Sequence, residues 1–245
     1  MSLACILMEA SAQPPLTTFP SIPAAIDTRR QRVDLTALTI RIHVMSDSDS
    51  AIFGIVVHDP DRPRLKKLIS RVADQVLSPK RVIVADNDGS EKTRQLLSTL
   101  EQEHEIPLQH LDSSPNRGFN PGYNCILEKA LEDSEASFLA TMTVRNSPNS
   151  EWLLNATGAL NSDSEAGAVA TVQRFQKTGD VFSVGHLYRR DGALLDFGRN
   201  RSIESLKSRW ADQADKIVWG PCTGAAVYLL DALRDSQPSG DWLDS

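Results

Sequence analysis

Two stretches of the chain hold the residues best suited to chemistry. SSPNRGFNPGYNCILEKAL, residues 113–131, sets Asn116, Gly118, Gly122 and Asn124 around Phe119 where a helix is predicted to begin. Glycines there permit backbone conformations and close approaches that side chains forbid. A helix starting near Gly122 points free amides and the positive end of its dipole outward. Asn116 and Asn124 add donors and acceptors, and Arg117 adds positive charge. Together these suit the wall of a cleft for an anionic ligand. The alternative is a tight loop whose glycines serve turn geometry alone. The second stretch, VADNDGS (84–90), ends a strand at Asp86 and Asn87 and opens a helix with Gly89 and Ser90. A carboxylate or amide at that place can accept hydrogen bonds from a base or a ribose. The competing reading is that Asp88 or Ser90 caps the helix beginning near Glu91.

The elements that must position these residues are legible from hydrophobic spacing. AIFGIVV (51–57) and RVIVAD (81–86) are short apolar runs, the mark of strands covered on both faces. Between them Leu65, Leu68, Ile69, Val72 and Val76 are spaced as one helical stripe. Leu96, Leu97 and Leu100 mark a second helix, and PLQHL (107–111) a weaker strand. Ile126, Leu127, Ala130 and Leu131 form the inner face of the helix after the first motif. SFLATMTV (137–144) is a further strand, Trp152, Leu153, Ala156 and Leu160 another helix, and GAVATVQ (167–173) another strand. Strands alternating with helices imply right-handed crossovers and a mostly parallel sheet sandwiched by helices. Ligands of such sheets sit at the carboxyl ends of the strands. The informative residues are therefore His58 and Asp59, Asp86 to Ser90, Asn116 to Asn124, and Arg145 to Pro148.

Composition narrows the classes. The chain has 245 residues, of which 40% are apolar, enough for one domain with a substantial core. Its formal net charge of −6 argues against a broad nucleic-acid face, while leaving room for a local phosphate pocket. Three cysteines, Cys5, Cys125 and Cys222, form no zinc-spaced set and read as reduced thiols of a cytoplasmic protein, with Cys125 and Cys222 packing as small apolar groups. No G-x-G-x-x-G follows the first strand and no G-x-x-x-x-G-K-[ST] occurs, which argues against a dinucleotide oxidoreductase and a P-loop ATPase. Residues 1–50, with Pro14, Pro15, Pro20 and Pro23 and the polar MSDSDS (45–50), are expected to be a disordered leader, or else translation starts at Met45. Arg62, Arg64, Lys66 and Lys67 make a solvated helical face, with peripheral association at the inner face of a membrane as the alternative.

An apolar strand, then V-x-D-N-x-G-S, then N-x-G-F-x-x-G-x-N, in this order, resembles the family 2 glycosyltransferases of the GT-A fold, and among them the rhamnosyltransferase-type members. EWL (151–153), DGALLDFG (191–198) and VWGPCTGAAVYLLDALRDSQPSGDWLD (218–244) continue the resemblance, which spans about residues 52–245. The resemblance implies a GT-A domain over 51–245 and a nucleotide-sugar donor, dTDP-rhamnose or a UDP-sugar, bound over the first half of the sheet. His58 would stand near the base, Asp86 or Asn87 would contact base or ribose, and Asn116, Arg117, Gly118, Phe119, Gly122 and Asn124 would line the donor cleft. Thr223 and Gly224 would face a saccharide or lipid-linked acceptor. The implied reaction is an inverting displacement with a carboxylate base, and the departing diphosphate is usually neutralised by Mg²⁺ or Mn²⁺.

Two departures stand out. The acidic metal motif of the family is expected about seven residues before the Trp-Leu pair, where this chain reads TVRNSPNSEWL (143–153) and places Arg145. Arg145 offers no acceptor to a hard cation. Three readings stand open: Arg145 replaces the metal as a fixed cation, the metal site has degenerated, or Arg145 belongs to a rebuilt surface loop. The second departure is the late catalytic acid, for which only Asp241 and Asp244 offer themselves, both alternatively solvated loop residues. The chain is then either a piece of a longer transferase or a catalytically silent GT-A-like binding or scaffold protein.

Overall fold

A computed structural model describes residues 50–206 and 220–236. The expected leader, and Asp241 and Asp244, lie outside these residues. In chain order the elements are β1 (Ala51–Val57), α1 (Arg62–Ala73), β2 (Arg81–Asp86), α2 (Glu91–His104), β3 (Leu108–Asp112), α3 (Phe119–Leu131), β4 (Phe138–Met142) and α4 (Trp152–Ser162). Short strands follow: β5 (Ala168–Ala170), β6 (Gln173–Arg174), β7 (Val181–Ser183), β8 (His186–Tyr188) and β9 (Leu194–Asp196). β10 (Ala225–Leu229) and a short helix α5 (Leu230–Asp235) follow further along the chain.

The central sheet has the order β3-β2-β1-β4-β10-β5. The pairs β3–β2, β2–β1 and β1–β4 are parallel, and only β10 runs against its neighbours. This is the mixed α/β, mostly parallel arrangement that the alternating pattern predicted. β1 shows why the run had to be apolar throughout. Phe53, Ile55 and Val57 face α1, α2 and α4, where they meet Leu65, Leu68, Leu100 and Trp152. Ile52 faces the other layer, where Ile126 and Leu127 of α3 cover it. Each fully buried residue of this kind contributes about 1.5–3 kcal/mol. The Phe53 and Trp152 rings meet edge to face at 5.9 Å.

The region after β5 departs from the expected single strand over 167–173. It breaks into β5 and then two small antiparallel pairs, β6–β7 and β8–β9, over a satellite core of Val172, Val181, Val184, Ile203 and Leu206. Sequence periodicity fails here because two- and three-residue strands are too short to show an alternation. No helix among the described residues is long and apolar enough to cross a membrane.

Candidate functional site

The carboxyl ends of β1, β2 and β4 open on one side onto a cleft of about 330 Å³, and the start of α3 forms its opposite wall. Its lining includes His58 and Asp61 after β1, Asn87 after β2, Asn116, Gly118 and Phe119 before and at the start of α3, and Thr143, Val144 and Arg145 after β4.

At the first tip, His58 is exposed and its Nδ1 meets Asp61 Oδ2 at 2.8 Å. Asp61 also accepts from Arg64 Nη1 at 3.0 Å. Asp61 was not among the expected site residues. It sits three residues beyond His58 in HDPD, and only the turn Asp59–Asp61 folds it back into the cleft.

The second tip is built differently. Asp86 is fully buried. Its Oδ2 accepts from the Ser90 amide at 2.8 Å and its Oδ1 from the Asp88 amide at 3.2 Å, and His110 Nε2 lies 3.2 Å from Oδ2. Ser90 stands at the N-cap of α2 as expected, without a side-chain capping bond, and Asp86 accepts from the Asp88 and Ser90 amides just ahead of the helix. The carboxylate is bonded within its own chain and is not in the cleft lining, whereas Asn87, the other residue expected at base or ribose, is. Asn87 keeps an edge in the cleft while bracing it. Its Nδ2 donates to the Gly118 carbonyl at 2.7 Å, and its Oδ1 accepts from Ser113 Oγ at 2.8 Å.

That brace explains the two glycines. Gly118 stands at φ +100°, a conformation that disfavours any side chain, and Asn116 Oδ1 accepts from its amide at 3.0 Å. Gly122 lies so close to the second tip that a Cβ would come within 2.6 Å of Asn87 Oδ1 and 2.9 Å of Val56 Cγ1. α3 starts at Phe119, three residues ahead of the expected start near Gly122. Gly122 is therefore a packing contact inside the first turn, and the helix mouth faces the cleft at Gly118 and Phe119. Among the described residues the lining does not include Arg117, Gly122 or Asn124, and Asn124 is buried. Phe119 is half-exposed and leans on Tyr123, ring centroids 5.3 Å apart.

The third tip carries the cation. Arg145 is exposed in the cleft and has no ion-pair partner among the described residues. The next residue is pinned: Asn146 Nδ2 donates to the Gly224 carbonyl and lies 3.3 Å from Thr143 Oγ1 and 3.4 Å from Gln173 Oε1. The Thr143 amide also donates to the Gly224 carbonyl, at 3.0 Å. The turn at Thr223 and Gly224 thus buttresses the loop that presents Arg145.

A divalent ion fits these residues poorly. Among the described residues the carboxylate lining the cleft is Asp61, already held by His58 and Arg64, and the position expected of a metal-binding acid belongs to a guanidinium. Beneath the floor, Tyr123 donates to Thr141 Oγ1 at 2.9 Å. Burial pushes the Tyr123 hydroxyl up to about 12, and burial with Tyr123 beside it pushes Tyr228 well above its ordinary value. Both stay neutral near neutral pH, so neither serves as a base.

A mostly parallel α/β sheet with its cleft at the strand tips is the GT-A type of arrangement. The chain belongs to glycosyl transferase family 2, whose model matches residues 54–234. No curated protein sequence matches it. Among solved structures it is similar to the mannosyltransferase PcManGT from Pyrobaculum calidifontis in complex with GDP-Man and Mn²⁺, with 19% identity over 51% of this chain and 35% of that one, at a TM-score of 0.43. It is also similar to S. aureus TarS 1–349, with 13% identity over 76% of this chain and 49% of that one, at a TM-score of 0.49. The same fragment with UDP-GlcNAc gives 16% identity over 53% of this chain and 36% of that one, at a TM-score of 0.42. The chain thus spans half or less of each of these structures, and overlaps this partial add nothing to the family assignment.

Proposed function

We propose that the protein moves a sugar from a nucleotide-sugar donor, dTDP-rhamnose or a UDP-sugar, to a hydroxyl of a glycan or lipid-linked acceptor, with inversion and with Arg145 in the role usually taken by a divalent ion. Family membership supports glycosyl transfer. The observation that carries the finer reading is Arg145 itself, exposed in the cleft on a loop locked through Asn146. A guanidinium there would hold two diphosphate oxygens in a fork and neutralise the charge that grows as the bond to the sugar breaks. The α3 mouth at Gly118 and Phe119 would add amides and dipole, and His58, Asn87, Asn116 and Phe119 would enclose the nucleoside.

In the displacement the acceptor oxygen bonds to the anomeric carbon, the carbon–oxygen bond to the diphosphate breaks, and the nucleoside diphosphate leaves with the electron pair. The acceptor proton passes to a carboxylate base. Asp241 and Asp244 are the candidates for that base, and Thr223 and Gly224 would border the acceptor. The second reading is a silent nucleotide-sugar-binding module, favoured by Asp61 being the committed carboxylate of the cleft.

Incubation with dTDP-rhamnose or UDP-sugars in the presence of EDTA, followed by chromatography of nucleotide products, tests the reading. Release of nucleoside diphosphate that Arg145→Ala abolishes supports the transferase. Nucleotide binding without release from any donor supports the silent module. Absence of nucleotide binding overturns both.

A further inference from the structure

A second constellation lies outside the cleft, in the hairpin region. His186 and Asp196 are register partners across β8 and β9, so their side chains share one face. On its other edge His186 forms a bridge with Gly220, its amide donating to the Gly220 carbonyl at 2.8 Å. Cys222 follows Gly220 by two residues. Three backbone segments therefore deliver an imidazole, a carboxylate and a free thiol to one point. His186 Nε2, Asp196 Oδ1 and Cys222 Sγ all lie within 4.8 Å of one another, and all three residues are half-buried.

We propose that His186, Asp196 and Cys222 form a zinc site. His186 Nε2 and Asp196 Oδ1 are 3.4 Å apart. Two ligands of one tetrahedral zinc at ordinary Zn–N and Zn–O lengths stand about 3.4 Å apart. Sulfur would close to about 3.6 Å from nitrogen in such a site, a movement of roughly 1 Å from the present limit. Asp196 is oriented for single-oxygen ligation, because Arg199 Nη1 holds its other oxygen at 2.8 Å. Arg199 is itself seated over the Phe182 ring at 4.7 Å, an outer support of the kind that aims metal ligands. Thiolate with imidazole selects zinc over magnesium or manganese. The set leaves the fourth position to water, and none of its ligands lines the Arg145 cleft. Zinc would tie the β8–β9 hairpin to the segment that runs through Thr223 and Gly224 into β10. The inference therefore concerns a site separate from the donor cleft and stands whether or not the chain transfers a sugar.

Cobalt is the probe, because a thiolate ligand gives it a charge-transfer absorption in the near ultraviolet. The full chain, purified without metal, should develop that band with one equivalent of Co²⁺ and lose it on adding Zn²⁺. Cys222→Ser should abolish the band, His186→Ala should weaken Zn²⁺ binding at least tenfold in competition with a chelating dye, and Cys125→Ser should change neither. Should Cys222→Ser fail to fold, alkylation of the wild type decides: equimolar Zn²⁺ should protect Cys222, read by peptide mass spectrometry. No band with wild-type protein, a band that survives Cys222→Ser, or Cys222 alkylated equally with and without Zn²⁺ would each overturn the site.

Discussion

The tips of β2 and β4 lie on the same side of one sheet, two strands apart, and the chain uses them in opposite ways. At β2 the polar groups turn inward. Asp86 is fully buried with its oxygens on the Ser90 and Asp88 amides and on His110, and Asn87 spans from Ser113 to Gly118. At β4 the backbone and Asn146 are pinned, yet Arg145 is left exposed in the cleft. A buried carboxylate must be satisfied, and the Ser90 and Asp88 amides and His110 do so for Asp86. An exposed guanidinium on a fixed loop keeps its donors for a ligand. On the proposed reading the β2 tip braces the cleft and the β4 tip presents its cation.

Variants can break this contrast. Arg145→Ala should have the largest effect, a loss of about 100-fold in nucleoside diphosphate affinity by calorimetry with an unchanged melting temperature. A nearly intact affinity would demote Arg145 to a surface residue. Asp86→Ala should act the other way, lowering stability by about 2 kcal/mol in denaturant titration as its amide partners lose their acceptor. The folded fraction should still bind nucleotide, and a binding defect without destabilisation would return Asp86 to the cleft. Gly122→Ala should cost about 1–2 kcal/mol and also weaken binding, because Asn87 must move from its place between α3 and the cleft.

The smallest effect is expected at the amino ends of the strands. There Asp133 meets Lys80 Nζ at 3.0 Å and Arg81 Nη2 at 3.3 Å. Burial alone would raise the Asp133 carboxyl, but Lys80, the Glu135 amide and Arg81 bring it below its ordinary value. A depressed folded value means stability that is present above the unfolded aspartate pKa of about 3.9 and lost as pH falls through the folded one. Thermal melts from neutral to acid pH should show that loss in the wild type and less of it in Asp133→Asn, with nucleotide affinity untouched at neutral pH.

The sheet was legible because strands covered on both faces must be apolar along their length, as AIFGIVV and RVIVAD are, and because α1 and α3 keep a clear apolar stripe. The cleft was legible in outline: His58, Asn87, Asn116, Gly118, Phe119 and Arg145 do line it. What the residues alone could not reveal is which polar side chain turns in. Asp86 and Asn87 are adjacent and chemically alike as ligands, and only the position of the Ser90 amide and His110 decides that Asp86 turns inward. Asp61 was missed because a turn, not a strand tip, delivers it. Cys222 was expected to pack as an apolar filler. Its polar neighbours come from a hairpin whose strands are three residues long, below the length at which alternation can be read.

The most direct test of the central claim is a calorimetric titration of the wild-type chain with UDP, dTDP and GDP, once in EDTA and once in Mn²⁺. A cleft run by Arg145 should bind one of them equally well in both. Binding that appears only with manganese would show that a metal, and not this guanidinium, holds the diphosphate.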